Sequence, residues 1–106
     1  FVFIDDVIDA LTKAAIKPKI EGEIINIGGG KPVSIKKIVE ISLELVRKKP
    51  KIVWNTKESK PIDKFQKISY ADLKKAKKIL DWKPTTSLKK GLEKSYSWYE
   101  KNINMY

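Results

Sequence analysis

The pattern of apolar and polar positions divides the chain into short elements. Phe1-Val2-Phe3-Ile4 is an apolar run rich in β-formers and predicts a buried strand. Asp5 or Asp6 then caps a helix whose apolar side is Val7, Ile8, Leu11, Ala14 and Ala15, ended by Lys17-Pro18. Gly22 turns the chain into a second strand, Glu23-Ile24-Ile25-Asn26-Ile27, closed by Gly28-Gly29-Gly30. Ser34 is a good N-cap for a helix over residues 35–48, with Ile38, Ile41, Leu45 and Val46 in its stripe and Arg47, Lys48 and Lys49 in its last turn. Pro50 stops it, and Lys51-Ile52-Val53-Trp54 predicts a short third strand.

The second half is more polar. Residues 55–70 lack helical periodicity and predict a lysine-bearing loop of functional length. Asp72 caps a short helix in which Leu73, Ala76 and Leu80 share a side, and Trp82 and Lys83-Pro84 follow. Ser87 caps the last helix, where Leu88, Leu92, Tyr96, Tyr99 and Ile103 fall on one face and need a partner surface. The expectation is an α/β fold of about three short strands and four helices in one unit, residues 1–106. Three strands are few for a self-sufficient sheet. Together with a start in mid-strand at Phe1, that predicts a fragment of a larger protein.

Composition removes whole classes of chemistry. The 106 residues include no cysteine and no histidine, so disulfides, thiol catalysis, His-based metal sites and His general bases drop out. The lack of cysteine fits a reducing cytoplasm. No apolar run approaches the ~20 residues that cross a bilayer. The net charge of +10 raises nucleic-acid binding as an alternative. Of the 23 basic residues, however, all but Arg47 are lysines, spread among acids and apolar residues, and lysine lacks the fork that reads phosphate or guanine bidentately. A solvated lysine-rich surface is therefore preferred.

Few residues offer reactive chemistry. The run Gly28-Gly29-Gly30 follows a strand and precedes a helix, as a phosphate loop would. Val33 stands where the third glycine of G-x-G-x-x-G belongs, and Gly30-Lys31 is followed by Pro32 rather than Ser or Thr. A turn with positive φ before a Ser-capped helix explains the run. Asp5, Asp6 and Asp9 could form a metal-binding cluster, but capping and the helix dipole already account for acids there. Only Tyr70 has a lysine four residues on, Lys74. That pair straddles the Asp72 cap, so it is not read as a Tyr-Lys dyad.

Four blocks resemble one family in order and spacing across nearly the whole chain. Phe1-Val2-Phe3-Ile4-Asp5-Asp6-Val7-Ile8-Asp9-Ala10 resembles the opening strand–helix segment of the C-terminal part of extended short-chain dehydrogenase/reductases. Gly22 to Gly30 with Ser34, Ala71-Asp72 through Leu80-Asp81-Trp82-Lys83-Pro84, and Ser87-Leu88 with Gly91-Leu92 and Trp98-Tyr99 resemble the three later segments. The resemblance is to nucleotide-sugar epimerases and dehydratases such as UDP-glucose 4-epimerase. It implies a substrate-side lobe that holds a nucleoside diphosphate, next to an N-terminal Rossmann domain that is not in this chain. That domain would carry NAD or NADP and the catalytic Tyr-x-x-x-Lys, so the resemblance places no catalytic or cofactor residue here. It points to Phe1, Phe3, Lys60, Lys64 and Lys67 as substrate contacts, with a nucleotide-sugar and the Rossmann domain as partners; the open edge of the expected strand at Ile24 to Ile27 adds a second copy as an expected partner. Two departures matter. Asp81 replaces a glycine, and the loop before Ala71 offers lysines where relatives place arginine.

Overall fold

The computed structural model describes residues 1–46, 50–54 and 69–105. Four helices appear in it: α1 (Ile4–Ile16), α2 (Ile35–Leu45), α3 (Lys74–Leu80) and α4 (Leu88–Asn102), the last running into a 3-10 turn at Ile103–Met105. They pack chiefly as two pairs, α1 with α3 and α2 with α4.

No strand is found among the described residues, which overturns the expected α/β lobe of three strands. Residues 1–3, 23–27 and 51–54 are not helical, and Phe3 has extended angles (φ −80°, ψ 149°). None of these segments is joined to another by a ladder of backbone hydrogen bonds. A β-forming sequence becomes a strand only when a neighbour pairs its N–H and C=O groups. Ile4, the expected last strand residue, instead opens α1.

Local signals fix most helix ends. Ser34 Oγ accepts from the Lys37 amide at 3.1 Å and Ser87 Oγ from the Lys90 amide at 3.3 Å, so both predicted N-caps form. Asp72 Oδ1 accepts from the Lys74 amide at 2.9 Å at the start of α3. Asp81 ends α3 in left-handed geometry (φ 48°, ψ 41°), and the Trp82 amide reaches back to the Ala76 carbonyl at 3.3 Å, a Schellman-type closure. Lys17, extended before Pro18, ends α1, because a proline disfavours helical angles in the residue before it. Asp5 and Asp6 do not cap α1. They lie inside its first turn, where negative charge suits the helix dipole, and no side chain caps that end.

The core is small. Trp82 is 1% exposed, and it packs with Ala10, Ala76 and Leu80, flanked by Val2, Ala14, Ile20, Ile25 and Ile27. The buried side of α1 is therefore Asp6, Ala10 and Ala14. Ile4, Ile8 and Leu11, which the apolar pattern points to the core, stand 55–64% exposed. Trp98 is likewise 46% exposed, and Tyr96 is half-buried.

Candidate functional site

The opening segment is seated by missing side chains. A Cβ at Gly29 would overlap the Phe1 carbonyl oxygen, so only glycine lets that backbone pass. Phe3 lies against Gly91 of α4 with the Lys94 ammonium 4.8 Å from its ring centroid, close enough for a cation–π contact. The same ammonium is 2.8 Å from the Asp5 carboxylate.

Beside this segment is a cavity of about 560 Å³. It is lined by the opening segment Phe1 to Phe3, by Gly29, Lys31, Val33 and Ile38, and by Pro84 to Leu88 with Gly91, Leu92 and Ser95. Among the described residues its walls are mostly apolar, with Thr85, Thr86, Ser87, Ser95 and the cation Lys31 among them. Such a space suits a flat apolar group with polar edges and a nearby negative charge. Of the residues expected to touch substrate, the structure brings Phe1 and Phe3 to this cavity. Lys60, Lys64 and Lys67 lie outside the described residues. Lys31 also lines this cavity; in the sequence it stands out only as the lysine of a failed phosphate-loop match.

Asp6 carries the structural detail that holds one wall. It is a buried carboxylate, 4% exposed. Oδ1 accepts from the Thr85 amide at 3.0 Å and the Thr85 hydroxyl at 2.8 Å, and Oδ2 from the Thr86 amide at 3.1 Å. Burial alone would push its carboxyl up, but the hydrogen bonds from Thr85 and Thr86 outweigh it and hold the group below the ordinary carboxylate value. The Asp6 carbonyl also accepts from the Trp82 indole at 3.0 Å. Thr85 and Thr86 line the cavity, so this carboxylate ties α1 to the cavity wall. Sequence spacing gave no sign of it, since the partners are 79 and 80 residues away.

Other candidate chemistry is accounted for by local partners. Asp5 pairs with Lys94 and Asp9 with Lys13, so the acidic cluster around Asp6 is satisfied within the protein. Gly30 has the expected positive φ of 69°. A Cβ at Gly28 would meet Ala71, and one at Gly30 would meet Leu73, both at 2.9 Å, so close packing on the segment before α3 accounts for these two glycines. Lys75 pairs with Glu23 at 2.6 Å, Lys37 with Glu40, and Lys77 with Asp81, so several lysines are matched to acids.

Comparison with known proteins agrees with the four sequence blocks. Over nearly its whole length the chain is homologous to nucleotide-sugar epimerases and dehydratases of the extended short-chain dehydrogenase/reductase family. It is 40% identical over 106 residues to the UDP-glucuronate 4-epimerase of Thermodesulfobacterium geofontis, covering 99% of this chain and 31% of that protein. It is 35% identical over 104 residues to the probable GDP-L-fucose synthase 1 of Oryza sativa subsp. japonica, covering 97% and 30%. It is 30% identical over 106 residues to the UDP-N-acetyl-alpha-D-glucosaminuronate decarboxylase of Bacillus cytotoxicus, covering 98% and 33%. The chain thus spans about a third of the length of these curated relatives. No protein-family model matches it, and no solved structure matches it significantly. Among the described residues, no helix is long and apolar enough to cross a membrane.

Proposed function

We propose that this chain forms the part of a cytoplasmic nucleotide-sugar epimerase or dehydratase that holds the nucleoside diphosphate. The supporting observation is the convergence of Phe1, Phe3 and Lys31 on one cavity, in a chain aligned over its whole length with enzymes named for UDP- and GDP-linked sugars. Phe1 and Phe3 offer flat apolar faces to a base or ribose, and Lys31 offers a point charge to phosphate. Lys60, Lys64 and Lys67 are proposed as further cations for the two phosphates. Their chemistry suits that task, since lysine neutralises phosphate without forking it.

NAD or NADP would supply hydride transfer in the whole enzyme, from a Rossmann domain outside these residues. This chain's contribution is binding and orientation. The exposed stripe Ile4, Ile8 and Leu11 on α1 would face that domain and lose its contact with water there.

Calorimetric titration of UDP and GDP into the chain tests the reading. Weak binding that falls as salt rises is expected, because phosphate–ammonium attraction at an exposed site is screened. Lys31→Ala and Phe1→Ala should each reduce it. Titrations that show no heat for either nucleotide at low salt would overturn the proposal.

A further inference from the structure

We propose that Gly91 is a positioning residue that sets the width of the cavity by letting the Phe3 ring lie down on α4; the ligand side of this inference rests on the cavity being the nucleotide site. Gly91 is buried and helical, in the first half of α4, with no positive φ. Glycine is a poor helix former at such a place, so its backbone freedom explains nothing here. What the position uses is the missing side chain. A Cβ at residue 91 would lie 3.2 Å from Phe3 Cδ2, tighter than ordinary packing, and in ordinary contact with Phe3 Cβ and Cγ at 3.5 Å.

The Phe3 ring is held from two further directions. Its backbone is the N-cap of α1, and its carbonyl accepts from the Val7 amide at 3.3 Å. Lys94, one turn along α4 from Gly91, sits over the ring and is tied to Asp5. With α4 behind the ring, a methyl at residue 91 displaces it by a few tenths of an ångström toward the open space of the cavity, which both residues line. Residue 91 therefore governs ligand fit through Phe3 without needing to touch the ligand.

The test is a double-mutant cycle of Gly91→Ala and Phe3→Leu, read by UDP titration and by thermal melting. Gly91→Ala should weaken UDP binding by about tenfold, a misfit of ~1.4 kcal/mol. Its melting temperature should hold or rise, because alanine favours the helix. In the Phe3→Leu background the same change should alter affinity by less than about twofold, the usual limit for independent sites. An equal loss in both backgrounds, or no loss in the parent chain, overturns the inference. If the parent chain binds no UDP, the nucleotide reading fails and the positioning role is decided by NMR. The Lys94 side-chain protons should carry an upfield ring-current shift from Phe3 that Gly91→Ala diminishes, and an unchanged shift would refute it.

Discussion

Replacing Asp6 gives the sharpest stability test. Its carboxylate accepts three hydrogen bonds, two from backbone amides and one from a hydroxyl, all from the turn at Thr85 and Thr86. Removing an acceptor strands its donors, and bonds to a charged group contribute about 1.5–3 kcal/mol each before relaxation. The three share one side chain and are partly reached by water, so Asp6→Ala should cost about 3 kcal/mol in all. For a domain of this size that is a fall in Tm of roughly 15 °C. Asp6→Asn keeps one acceptor oxygen but turns an amide group toward either the Thr85 or the Thr86 N–H, and should cost about 1–2 kcal/mol. The sign of the pH effect follows from the depressed carboxyl. A carboxyl held below its ordinary 3.8 contributes stability that is complete above that value and is lost as pH falls through the lower folded value. The gap in Tm between parent and Asp6→Asn should therefore be widest near neutral pH and shrink below about pH 4. Asp5, Asp9, Lys90 and Lys94, which line the adjoining cleft with Asp6, are common to both proteins, so the gap isolates Asp6. Circular dichroism melts across the acid range measure it. Equal Tm values at neutral pH, or a gap that stays constant into acid, would refute the reasoning.

Three other outcomes are expected. Trp82→Ala removes the largest fully buried side chain among the described residues together with its bond to the Asp6 carbonyl; it should cost about 3–5 kcal/mol in denaturant unfolding, and a loss under about 1 kcal/mol would contradict the assigned core. Asp81→Gly relieves left-handed backbone geometry but loses the exposed pair with Lys77, so it should raise Tm most clearly at high salt, where that pair is screened; a lower Tm there would be contrary. The exposed stripe Ile4, Ile8 and Leu11 and the unladdered segment at Ile24, which is 82% exposed, should make the chain self-associate in physiological salt; sedimentation showing a clean monomer at high concentration would oppose this.

What could be read from the sequence was mostly local. Ser34 and Ser87 bond within three residues, and Asp81 closes α3 as the glycine it replaces would, so each carries its own signal. Pairing is not local. The β-forming runs at residues 1–4, 23–27 and 51–54 predicted strands, but a strand also needs a neighbour that its own sequence cannot supply, and none is present among the described residues. The same limit explains α1. Periodicity assigned Ile8 and Leu11 to the core, whereas the small side chain of Ala10 admits the close approach of α3 and Trp82. Only the resemblance singled out Phe1 and Phe3, which the structure places in the cavity wall. The Asp6 bonds to Thr85 and Thr86, the fit of Phe3 on Gly91 and the place of Lys31 in the cavity wall depend on tertiary contacts across most of the chain.

The central claim is that the cavity beside Phe1 holds a nucleoside diphosphate. Residue-resolved NMR during a UDP titration tests it most directly. Shifts concentrated at Phe1, Phe3, Lys31 and Ser95, saturating together and weakened by salt, are predicted. Saturable shifts confined to other surfaces, such as the lysines and Trp98 along the outer side of α4, or no shifts at all, would contradict it.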